Sequence, residues 1–205
     1  MSVDECAQRK PRKIARITTR YSSREDRLRL AVEDENRTPL NLWLTRRLSD
    51  RLVAGLLQCL EHPDGAPDKA LPERAGAEAR TGALAGASAQ PMRHAGQPNA
   101  AALLWEQTHA DLSFRKSPPV IAPPEISETG LIDTISIARS GESFKLSFAW
   151  NGEEAALAIT PVFLRNFLRI LHRNYGMAEW ATCGVFPAWL ADDAHQALLD
   201  KSSMN

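Results

Sequence analysis

The chain is poor in the residues that usually announce chemistry. Its three cysteines, Cys6, Cys59 and Cys183, form an odd and scattered set that argues against a disulfide framework. No run of eighteen apolar residues is present, so no transmembrane helix is expected. The first residues, MSVDECAQRKPRK, lack the apolar segment of a secretory signal, and the expected compartment is the cytoplasm. There is no Walker loop, GxGxxG, HExxH, GxSxG or CxxC. The five histidines (His62, His94, His109, His172 and His195) are dispersed, and none has a Cys or His at metal-ligand spacing. Glu153 and Glu154 are adjacent on a strand pattern, so they point to opposite faces and cannot work as a carboxylate pair. Nothing near Cys183 or His195 supports a nucleophile and base. No metal, cofactor or catalytic set is expected, which points away from an enzyme.

A second shortage is regional. Residues 62–100 contain no Ile, Val, Phe, Tyr or Trp but five prolines, five glycines and many alanines. Such a tract cannot bury enough apolar surface to offset its ordering entropy, so a disordered linker is expected there.

Two stretches are rich in pattern. Leu40–Leu60 reads LNLWLTRRLSDRLVAGLLQCL, and Leu157–Tyr175 reads LAITPVFLRNFLRILHRNY. In each, a short apolar strand runs into an amphipathic helix with a Thr at the junction. Thr45 and Thr160 are N-cap candidates, because a Thr hydroxyl accepts from an orphan N–H of the first turn. Counted from each Thr, apolar residues fall at offsets 3, 7, 8 and 11, one face of a helix. Upstream, RLRLAVE (27–33) and SFKLSFAW (143–150) both alternate, and Asn151-Gly152 is a strong hairpin signal. Strand-like runs at Ile14–Tyr21 and Leu131–Ala138 precede them. The chain therefore reads as two strand-strand-strand-helix units.

The expected organisation is α+β. A flexible tail (1–12) leads to a first βββα unit (13–61), and the linker (62–100) follows. A short amphipathic helix and Pro-rich connector (101–130) lead to a second βββα unit (131–176). A C-terminal tail (177–205) holds a short helix, expected at Asp192–Lys201. Gly176 is the expected stop of the second main helix. The two units are expected to pack as one pseudo-symmetric domain, since a three-stranded unit with one helix is marginal alone.

Net charge is zero but unevenly spread. Residues 1–60 hold 13 of the 25 Lys+Arg and 8 of the 25 Asp+Glu, a balance of +5, and the rest of the chain balances it. By period 2, one face of the first unit carries Arg16, Arg20, Arg27, Arg29, Asn41 and Trp43, with no helix assigned to cover it. That set suits phosphate contacts by arginine and base stacking on tryptophan. It suits more readily a plain outer face with one exposed aromatic, or one covered by the linker helix or the tail. Trp105, Trp180 and Trp189 lie outside the repeats and are candidate partner contacts, and Leu104, Trp105, His109, Leu112 and Phe114 are the expected contact residues of the amphipathic helix, against either the core or a partner.

At the level of strand order, residues 14–61 and 131–175 resemble the whirly and PUR class of single-strand nucleic-acid binders, built from paired sheet-helix units. The resemblance implies binding through the sheet faces. It is topological and carries no functional residue onto this chain. The expected function is a non-enzymatic protein-interaction or assembly module whose partner is another protein. The alternative is single-stranded DNA or RNA binding through the Arg/Trp face. A homo-oligomer is compatible with either, and no membrane partner is expected.

Overall fold

The computed structural model describes residues 11–61, 69–72, 100–113, 118–123 and 128–190. Its strands are β1 (Arg12–Ser22), β2 (Arg27–Asp34), β3 (Pro39–Leu44), β4 (Lys69–Pro72), β5 (Glu128–Leu131), β6 (Thr134–Ser140), β7 (Ser143–Trp150) and β8 (Glu153–Ile159). Its helices are α1 (Arg46–Glu61), α2 (Ala100–Ser113) and α3 (Pro161–Met177), with a 3-10 turn at Ala188–Leu190. The fold is mixed α+β.

All eight strands belong to one sheet, in the order β4-β6-β7-β8-β1-β2-β3-β5. Two antiparallel meanders, β1-β2-β3 and β6-β7-β8, are joined where β1 runs parallel to β8 for two residue pairs, Arg12↔Ala155 and Lys13↔Ala156. The far ends nearly meet as well. β5 pairs parallel to β3, and only Ile132 and Asp133 separate it from β6. The Ile132 N–H donates to Trp43 O at 2.9 Å and the Asp133 N–H to Ala149 O at 2.8 Å, so the chain bends from one meander directly onto the other. The sheet is therefore curled, and its seam is this bent strand.

Two local features make the curl possible. The β1–β2 register shifts between Ile14 and Arg16, a bulge that frees the start of β1 to reach β8. It also puts Ile14 and Ile17, three residues apart, against the same core, which unbroken alternation would forbid. At the seam, Trp150 is buried across the backbone of Gly130. A Cβ at Gly130 would lie 2.1 Å from Trp150 Cδ1, so only glycine fits.

The hairpin turns follow their residues. Asn151 and Gly152 both have positive φ (46° and 78°), as a two-residue turn matched to strand twist requires. Between β2 and β3 the Asp34 carboxylate accepts from the N–H groups of Asn36 and Thr38, each at 2.8 Å. That leaves Arg37 at φ 62°.

Both helices start on the expected threonines. Leu48 N–H donates to Thr45 Oγ1 at 3.3 Å, and Phe163 N–H to Thr160 Oγ1 at 3.2 Å. Pro161 opens α3 where its missing N–H costs nothing. α3 does not stop at Gly176. It runs on to Met177, and the positive-φ position is Glu179 (53°).

One hydrophobic core holds the inward residues of both meanders together with Leu48, Leu52, Val53 and Leu56 of α1 and Leu164, Phe167, Leu168 and Leu171 of α3. α1 packs on β2 and β6, and α3 on β1, α1 and α2. Each main helix thus touches the first strand of the other meander. Buried Asn174 of α3 reinforces this. Its Oδ1 accepts the Tyr21 N–H of β1 at 2.8 Å.

The structure adds strands where none were expected. Lys69–Pro72, within the expected linker, lies antiparallel along β6. Glu128–Leu131 belongs to the seam. Of the expected tail at 1–12, Arg12 is instead the first residue of β1, paired with Ala155; residues 1–10, the rest of the linker before Ala100 and the expected helix at Asp192–Lys201 lie outside the described residues.

Candidate functional site

The outward face of β1-β2-β3 is ordered in rows by the strand register. Arg16 stands opposite Glu33; Thr18 opposite Ala31, which stands opposite Asn41; and Arg20 opposite Arg29, which stands opposite Trp43. Five of the six residues expected on this face (Arg16, Arg20, Arg29, Asn41 and Trp43) are therefore on it together. Arg27 follows one row on, opposite Ser22.

The face is not bare. Residues 118–123, PPVIAP, cross it as an extended strap. Prolines suit this role, because they are preset for extended chain and bring no N–H that needs an acceptor. The strap's carbonyls need donors, and the sheet supplies them. Arg16 donates to Pro118 O and Arg29 Nη2 to Ala122 O. Asn41 Nδ2 donates to Ala122 O at 3.0 Å, and the Val120 N–H donates to Thr18 Oγ1 at 2.9 Å. Ala31, Val120 and Ala122 form a small buried cluster beneath the strap. The connector thus covers much of the face that no helix covers.

The strap divides the arginines. Arg16 sits 3.6 Å from Glu33, and Arg29 is held by Ala122 O and by Asn41 Oδ1 at 2.8 Å. Arg20 is exposed and Arg27 half-buried. Between strap and sheet remains a groove of about 350 Å³, lined by Thr18, Arg20, Arg29, Ala31 and strap residues 119–123. Asn41 is on the face as expected from period 2; Thr18 and Ala31 were not singled out from sequence. A small Ala facing outward in a strand of large residues is the signal that something lies on it.

The three tryptophans outside the repeats separate sharply. Trp180 is buried, edge-on to Tyr21 and Tyr175, with its Nε1–H donating to Asp26 at 3.1 Å and the Arg46 guanidinium 5.8 Å above it. Trp189 is buried too, with Arg165 6.0 Å over its ring. Both close the core. Trp105 on α2 is 67% exposed. The inward face of α2 is Leu103, Gln107 and Ala110, packed on α3; its outward face carries Trp105, His109 and Leu112. His109 stacks on Trp105 with ring centroids 5.8 Å apart, and Leu112 is 83% exposed. Leu104 is half-buried, and Phe114 lies outside the described residues.

Among the described residues no three His, Cys, Asp or Glu cluster in a way that could hold a metal ion. No helix among them is long and apolar enough to cross a membrane. Burial pushes the Cys59 thiol up to about 11, as expected for a structural thiol. No family model, no curated protein and no solved structure matches this chain.

Proposed function

We propose that this chain is a non-enzymatic protein-interaction module that docks a partner protein through the outward face of α2. The observation that carries the reading is the stripe Trp105, His109 and Leu112, at i, i+4 and i+7 on a helix whose other face is already packed. A helix with a second, exposed apolar stripe fits a groove on another protein, and a tryptophan is the usual anchor of such contacts. The burial of Trp180 and Trp189 in the core leaves Trp105 as the anchor among the three.

The finer architecture we propose is two copies of one βββα unit. Its supports are the two meanders of like order, the two threonine caps bonded to the third residue of each helix, and the crossing of each helix onto the first strand of the other meander. α2 and the strap then belong to the connection between copies and are the parts available for specialised contacts.

The test compares the whole chain with a Trp105→Ala/Leu112→Ala variant in affinity capture from its native cells, followed by reconstitution with the purified captured protein. A stoichiometric complex that weakens at least tenfold in the variant, with unchanged thermal unfolding, supports the reading. The competing reading is single-stranded nucleic-acid binding through Arg20, Arg27 and Trp43. It takes over if an oligonucleotide binds tightly, loses affinity steeply between about 50 and 200 mM salt, and is weakened by Arg27→Ala or Trp43→Ala.

A further inference from the structure

Arg20 and Arg29 are direct cross-strand neighbours in the β1–β2 register. Like charges placed directly opposite on one sheet face destabilise it. The next arginine along, Arg16, has its own carboxylate in Glu33 at 3.6 Å. Among the described residues neither Arg20 nor Arg29 has one. The acceptors that hold Arg29, Asn41 Oδ1 and Ala122 O, are neutral, so they fix the guanidinium in place without offsetting its charge. Beside this pair opens the groove of about 350 Å³ between strap and sheet. That volume is in the usual range for small-ligand pockets. Apart from Thr18 and the two arginines, its walls are apolar: Ala31, Pro119, Val120 and Pro123 among them.

We propose that this groove binds a small amphiphilic carboxylate, its acid group between Arg20 and Arg29 and its apolar body against Ala31 and the strap. A planar guanidinium matches a carboxylate in two parallel hydrogen bonds, and Arg29 is already oriented for the task by Asn41. The apolar wall selects against nucleotides and inorganic anions, which would have to lose hydration without gaining partners there. The charge pair selects against neutral apolar molecules. Because the ligand touches the strap, binding also holds 118–123 on the sheet. The proposal does not depend on the role given to α2.

Octanoate is a suitable probe, titrated into the full chain by calorimetry and followed by amide chemical shifts. Saturable binding that shifts the amides of Thr18, Arg20 and Val120 is expected. Arg20→Ala should weaken it about tenfold or more, and Arg20→Lys should restore part of the loss. Arg20 is exposed and Arg20→Ala relieves the like-charge pair, so neither variant should melt below the parent chain. Four results overturn the proposal: no saturable binding, equal binding of 1-octanol, full competition by inorganic phosphate at equal concentration, or affinity unchanged in Arg20→Ala.

Discussion

The hydroxyl of Tyr175 on α3 donates to the Asp50 carboxylate on α1 at 2.8 Å. The bond ties together two helices that begin more than a hundred residues apart, with the Tyr175 ring fully buried in the core. Burial, then the hydrogen bond and charge of Asp50, push the phenol far above its ordinary value near 10. The sign of the linkage follows. An unfolded tyrosine loses its proton near pH 10 while the folded one keeps it, so the tyrosine's contribution is whole below that pH and declines as pH rises above it. Tyr175→Phe should cost about 1 kcal/mol at neutral pH and should flatten the loss of stability above pH 10. Absorbance at 295 nm checks the first half: the folded protein should show no phenolate of ordinary midpoint from this residue.

Cys59 gives a second alkaline window. The residue is 1% exposed, and burial raises its thiol from 9.0 to about 11. The unfolded thiol ionises first, so stability should fall between about pH 9 and 11, by about 2.7 kcal/mol at most. Cys59→Ala should remove that decline while opening a small cavity. Cys183 is exposed, so a thiol reagent should label it at once and reach Cys59 only as the chain unfolds. Rapid labelling of Cys59 in the folded protein would contradict its packing.

Gly130 tests the seam. The Trp150 indole lies where a side chain at Gly130 would stand, and it is too rigid and too enclosed to give way at little cost. Gly130→Ala should destabilise by about 1–3 kcal/mol, as overpacking does, and should red-shift tryptophan emission as Trp150 is displaced. Gly141 is the control. It has positive φ (62°) and nothing within 4 Å of its missing Cβ. Gly141→Ala should therefore cost only backbone strain, about 1 kcal/mol, and leave the emission unchanged.

Period and capping made most of the frame legible. β2, β3, β7, β8 and both main helices announce themselves because one face of each is apolar and their turns carry Asn-Gly or Asp-Glu-Asn-Arg. β4 and β5 do not. Lys69–Pro72 and Glu128–Leu131 are four residues each, without strand-forming runs, and they are strands because β6 and β3 have edges to pair. The bulge at Ala15, which brings Ile14 to the same core as Ile17, carries no signal of its own in the sequence. On α2 the apolar pattern does not reveal which face packs inward. Its inward face, Leu103, Gln107 and Ala110, is less apolar than its outward one, because α3 meets it with Arg165 and Asn166. Hydrophobicity therefore selects the face that remains in solvent. The arginine rows were visible in the sequence; the strap over them was not, because an extended proline segment has no periodicity that points to its partner.

Arg165 shows how α2 is held with so little apolar contact. The residue is 5% exposed. Its Nη1 donates to Leu103 O at 3.2 Å, its Nη2 pairs with Glu106, and its guanidinium lies over Trp189. Burial lowers its pKa, with Glu106 pulling the other way, yet an arginine so placed keeps its charge. Glu106→Gln leaves the Arg165 charge buried but keeps an amide oxygen as its acceptor, with Leu103 O and the Trp189 ring still in place, so it should cost about 1–2 kcal/mol. Arg165→Ala loses the bond to the helix carbonyl and the cover over Trp189 as well, and should cost about 2–3 kcal/mol. The difference should be local. Hydrogen exchange should speed up across α2 in Arg165→Ala while β2 and β7 stay protected. If the two substitutions cost the same, the exposed ion pair rather than the buried bonds holds α2. In that case the position of Trp105 should vary with salt, which the buried geometry of Arg165 does not allow.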